Sequence, residues 1–168
     1  MTRGVSGSVS KEDIGGGDVD SEQSSHTLHE RLRALAAFAP QFEEPGFRFG
    51  EWVEQPSEEP CVVPMQYYVL SPQGDAFFDM AYEMGWVRMD FDWIPWLKTP
   101  EGIKLHDNPA AMAEATAEQL ARVLTVPMKQ ERIAEGTLAD AYDSGLLTAI
   151  CRRAAILEVE MTNGGPQQ

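Results

Sequence analysis

From Ser71 onward the chain is punctuated as a succession of helix starts and stops, and that punctuation limits its fold more than any other feature. Ser71-Pro72 places a side-chain cap before a proline at the first helical position. Thr99-Pro100 and Asn108-Pro109 repeat the device, and Thr116 with Gln119 has the spacing of a capping box. Gly85 fits a left-handed stop, and Gly136 and Gly145 mark the ends of two further helices. Between these marks the apolar residues fall three and four apart. The helix after Ser71 buries Phe77, Phe78, Ala81 and Met84. Asp92 caps a turn carrying Trp93 and Trp96, and the helix after Thr99 reaches His106. The helix opened by Thr116 carries Leu120, Val123, Leu124, Pro127 and Met128 as far as Gly136, with a kink near Val123 imposed by Pro127. Thr137 caps a two-turn helix. The last helix, 146–158, buries Leu147, Ile150, Cys151, Ala154 and Leu157.

The N-terminal side has a different grain. A helix is expected over 25–39, with Leu28, Leu32, Leu35, Ala36 and Ala39 on one stripe and Pro40 stopping it. Phe47, Phe49 and Trp52 then alternate with polar residues, which suggests a strand. Gln66 to Leu70, with Tyr67, Tyr68 and Val69, reads as a second one. Glu54, Pro56, Glu58, Glu59 and Pro60 between them make an acidic loop, and Pro64 weakens the second strand unless it lies at an edge or bulge. The expected fold class is mainly α: a compact array of short helices with a small antiparallel β-hairpin near the N-terminal side. Residues 1–24, poor in large apolar side chains and with Gly15, Gly16 and Gly17 in a row, read as a disordered tail. Residues 25–160 read as a single helical domain and 161–168 as a frayed end.

At 168 residues, 43% of them hydrophobic, the chain suits one domain with a real core. Its 27 acidic and 13 basic residues leave a net charge of −14. Such a field repels nucleic-acid phosphates, so direct nucleic-acid binding is not expected. It serves solubility first, and it also suits an acidic face that docks on a basic protein partner. No apolar run is long enough for a membrane span, and the start of the chain has no secretory apolar core, so a cytoplasmic location is expected. Cys61 and Cys151 then read as reduced, packed thiols.

Two segments carry a family resemblance. One is Phe91-Asp92-Trp93 with Trp96. The other runs from Leu124-Thr125 through Lys129, Glu131-Arg132, Glu135-Gly136 and Leu138 to Ser144-Gly145 and Arg152-Arg153. Together, over roughly 46–157, they are similar to a bacterial and phage family catalogued only as domain of unknown function six-five-zero-eight. The resemblance implies a phage or mobile-element setting and no established activity. The chain departs from the family pattern at Lys129, Ile133 and Thr137, where Arg, Phe and His are expected. A catalytic His in that segment would be missing here.

The candidate binding residues are Trp93, Trp96, Lys129, Arg132 and Glu135. On a helix Glu131 and Glu135 share a face, and Arg132 stands three residues before Glu135. One reading is a polar pocket in which Arg132 holds an anion and Glu135 acts as base or orienter. The favoured one is a structural ion pair that sets how the helix meets its neighbours. Trp93 and Trp96 project to similar sides, as a partner anchor or, in the favoured reading, as a core corner. Asp92 suits a cap better than an acid–base role. His26 and His29 stand three apart, but nothing completes a metal site around them, and His106 lies at a polar helix end. The chain carries no phosphate loop, nucleophile elbow, paired Cys-x-x-Cys or zincin helix. No catalytic residue, metal or cofactor is therefore expected, and the weight of the sequence is against an enzyme. The preferred function is a non-catalytic protein-interaction module or modulator. The alternatives are an enzyme or small-anion binder built on Arg132 and Glu135, and a self-associating structural subunit.

Overall fold

A computed structural model describes residues 26–55 and 64–164, and the expected tail over 1–24 lies outside them. Helix α1 (Leu28–Ala36) leads into α2 (Ala39–Phe42). Strands β1 (Gly50–Glu54) and β2 (Gln66–Leu70) pair antiparallel, with Trp52 opposite Tyr68. There follow α3 (Pro72–Glu83), α4 (Trp93–Trp96), α5 (Pro100–Asp107), a 3-10 turn (Pro109–Glu114), α6 (Ala117–Glu131), α7 (Thr137–Asp143) and α8 (Leu146–Asn163). The chain is thus mainly α with a small hairpin near its N-terminal side. Among the described residues no helix is long and apolar enough to cross a membrane.

The starts lie where the cap chemistry puts them. Ser71 Oγ accepts from the Gly74 amide at 3.1 Å, Thr99 Oγ1 from Gly102 at 3.1 Å, and Asn108 Oδ1 from Ala110 at 3.2 Å. The Thr116–Gln119 capping box is closed in both directions. Each satisfies amides that have no partner inside the helix.

Elsewhere the boundaries move. Helix α1 begins after Thr27, which forms a capping box with Glu30. Pro40 is not a simple stop: α1 already ends at Ala36, and Pro40 sits in the first turn of α2, where no donor is lost. Phe47 and Phe49 precede β1 and turn inward, so the alternation marks the approach to the strand rather than the strand itself. Helix α6 ends at Glu131, not Gly136, and α8 continues to Asn163, past Glu158. Asp92 makes no side-chain cap bond to α4.

The core lies between α1, α3, α6 and α8, with Leu32, Leu35, Phe77, Leu124, Leu147 and Ile150 all sealed from solvent. Helix α1 packs along α8. An aromatic cluster of Phe38, Phe42, Phe47, Phe49, Phe77 and Tyr142 joins the N-terminal helices to α7. Edge-on ring pairs of this kind add to the area they bury, and the Tyr142 hydroxyl satisfies itself on the Phe42 carbonyl at 2.9 Å. Cys151 is wholly buried, and burial raises its thiol far above the usual range. Cys61 lies outside the described residues.

Candidate functional site

A two-stranded hairpin is marginal in isolation, so its attachment to the helices decides what lies around it. The attachment runs through the turn between α6 and α7. Glu135 in that turn accepts the outward-facing amide of Tyr68 at 2.9 Å. Gly136 follows with φ +88°, and a Cβ there would lie 3.0 Å from the Trp52 ring. Only a residue with no side chain takes this backbone without strain and leaves the indole its seat. Trp52 meets Tyr68 edge-on, ring centroids 5.2 Å apart, and stays 56% exposed.

These groups form one wall of an open cleft of about 560 Å³ between the hairpin and α7. Asp140 and Asp143 of α7 also line it, together with Glu51 and with Arg48 as the basic lining residue. Among the described residues Glu51, Asp140 and Asp143 form no ion pair. The cleft therefore carries negative field onto two aromatic rings. The Tyr68 phenol registers it: burial pushes its pKa up, and the charges of Asp143, Glu131 and Asp140 push it further.

The turn is held from beneath. Gly136 occupies the N-cap of α7 and has no side chain to cap it. Glu131 takes over, its two carboxylate oxygens accepting from Gly136 at 2.9 Å and Leu138 at 2.7 Å. A carboxylate at a helix N-terminus also suits the helix dipole. Thr137, expected as the cap, is instead the first helical residue and donates back to the Ala134 carbonyl at 2.7 Å.

A family model described as a family of unknown function, DUF6508, matches residues 27–160. The chain belongs to that family. The match takes in both segments singled out above and reaches further toward the N-terminus, to include α1. No curated protein and no solved structure matches the chain.

The DUF6508 segments are distributed over several jobs. Lys129 donates from Nζ to the carbonyls of Met89 and Phe91, both at 3.0 Å, and so fixes the chain leading into α4. Arg132 stands exposed at the C-terminal cap of α6, and among the described residues it forms no ion pair with Glu135. Trp96 is buried with its indole N–H donating to Glu101 at 2.8 Å, while Trp93 is half-buried against the core. Of the five candidate residues the structure brings only Glu135 to the cleft. His29 lies 3.8 Å from Glu158, and His106 Nδ1 lies 2.9 Å from Asp107. Among the described residues no cluster of His, Cys, Asp or Glu has the geometry to hold a metal. Trp52, Tyr68, Asp140 and Asp143 were missed because they meet only in three dimensions. The one advance signal was Gly136, a glycine at a helix boundary.

Proposed function

We propose that this DUF6508 protein is a non-catalytic interaction module that receives a basic segment of a partner protein in the cleft between the hairpin and α7. The observation that carries the reading is Trp52, exposed on its Gly136 seat beside Tyr68 and in one cleft with Asp140 and Asp143, whose carboxylates form no ion pair among the described residues. A Lys or Arg side chain entering there meets an aromatic face and a negative field together. Cation–π contact of this type contributes roughly 0.5–2 kcal/mol, depending on how far the cation is desolvated. The overall charge of −14 speeds the approach of such a partner and makes it salt-sensitive.

The reading is tested with fluorescein-labelled octapeptides containing alternating Lys or Arg, and with neutral peptides of the same length. Anisotropy is followed against the full chain and against Trp52→Ala and Asp140→Asn/Asp143→Asn. Saturable binding of the basic peptides, weakened by both changes, supports it. Equal affinity for neutral and basic peptides, or indifference to both changes, removes it.

A further inference from the structure

Among the described residues two buried side-chain polar atoms have no hydrogen-bond partner, Arg31 Nε and Arg88 Nε. Both arginines line one cavity of about 620 Å³, where α1 faces the end of α3 and the chain beyond it. The coincidence matters because a desolvated charged donor left without an acceptor is costly.

Each arginine is held in place by its surroundings. Arg31 lies over the Trp86 ring, 4.6 Å from its centroid, and its Nη2 donates to the Gly85 carbonyl at 2.9 Å. Trp86 is fully buried and its indole N–H returns a bond to the Arg31 carbonyl at 3.1 Å. The Arg88 amide donates to the buried Thr125 hydroxyl at 2.9 Å, and its Nη2 pairs with Glu118. Glu118 also serves Arg122, which in turn reaches Glu101. Two guanidiniums, Arg88 and Arg122, thus share the carboxylates of Glu118 and Glu101, and Arg31 forms no ion pair among the described residues. Burial and the charge of Arg88 act against the Arg31 cation, and the charge of Glu118 partly offsets them. In a chain of net charge −14, two arginines fixed at one cavity, each with an unpartnered Nε and one of them without an acidic partner among the described residues, have the chemistry that receives a small oxyanion.

We propose that Arg31 and Arg88 form a binding site for a small oxyanion, a phosphate or carboxylate group presented by a soluble ligand. Glu83 and Asp90 stand exposed at the rim with His26. The two rim carboxylates favour a compact anion over an extended polyanion such as nucleic acid. The site shares no lining residue with the hairpin cleft, so neither proposal depends on the other.

The test follows the arginine Nε–H resonances of the ¹⁵N-labelled full chain during titration with sodium phosphate, sodium acetate and sodium chloride at constant ionic strength. Saturable shifts of the Arg31 and Arg88 signals with phosphate or acetate, absent with chloride, are expected. Whichever oxyanion saturates at lower concentration identifies the headgroup. Arg31→Gln and Arg88→Gln should each weaken binding by about tenfold or more, with Arg33→Gln on the same helix leaving it unchanged. If Arg31→Gln does not fold, Arg31→Lys keeps the charge over Trp86 and loses the fork; weakened binding is still expected. Shifts that are linear and equal for all three salts, or binding unchanged in the Arg31 and Arg88 variants, overturn the proposal.

Discussion

Glu135 and Tyr68, 67 residues apart in sequence, are joined by a 2.9 Å hydrogen bond from the strand amide to the carboxylate. This bond ties the outer edge of β2 to the α6–α7 turn beside the cleft. An edge strand with an unpaired amide is free to exchange with solvent or to recruit another chain. Glu135→Ala is therefore expected to speed hydrogen exchange at the Tyr68 amide by tenfold or more, a local loss of about 1.4 kcal/mol, while amides of α6 and α8 exchange as before. Amide exchange read by NMR checks it; an unchanged Tyr68 rate would show that the carboxylate does not hold the edge.

Glu131 is expected to matter for global stability, unlike its neighbour. Its carboxylate supplies the cap that Gly136 lacks. Glu131→Ala should destabilise the chain by about 1–2 kcal/mol, and Glu131→Gln by less, because one amide oxygen still accepts. Urea denaturation gives both numbers, and a loss below the error of the method would remove the capping role.

Gly136→Ala should cost about 1 kcal/mol or more, from the positive φ alone, with a further penalty where the new methyl meets the Trp52 ring at 3.0 Å. Gly136→Asn should be milder in its backbone term, since Asn tolerates the left-handed region. The contrast, measured by thermal unfolding, separates strain in the backbone from the seat of Trp52.

Much of this architecture was legible beforehand, and the limits are instructive. Caps are local: Ser71, Thr99, Asn108 and Thr116 each bond an amide two or three residues on, so the spacing alone locates them. Strand β2 was legible for the same reason, as a short aromatic and β-branched run. The polar residues from Lys129 to Glu135 were not, because their partners are remote. Lys129 reaches carbonyls 38 and 40 residues away, and Glu135 reaches a strand. The sequence places Arg132 beside Glu135 by number, but the helix ends at Glu131 and the helical spacing behind that pairing no longer holds.

Glu101 gives the fold an acid-sensitive point. Hydrogen bonds from Gln119 and Trp96 hold its carboxyl below the usual range against the opposing effect of burial, and the charge of Arg122 adds a lesser contribution. A depressed folded-state pKa stabilises fully above the unfolded value and the gain is lost as pH falls through the folded one. The wild-type chain should therefore lose stability below about pH 4.5, and Glu101→Gln should show a shallower loss over that range. Urea midpoints at pH 3 to 7 test this; parallel curves for the two proteins would contradict it.

The decisive measurement for the cleft is the salt dependence of a Lys-containing peptide titrated into the ¹⁵N-labelled full chain, with the Trp52 indole resonance as reporter. Saturable movement of Trp52, Gly136 and Asp140 signals that weakens steeply as salt rises, and disappears from Asp140 and Gly136 in Trp52→Ala, is expected. Shifts confined to other surfaces, or a Trp52 signal that stays still while the peptide binds, would place recognition elsewhere and refute the proposed role of the hairpin cleft.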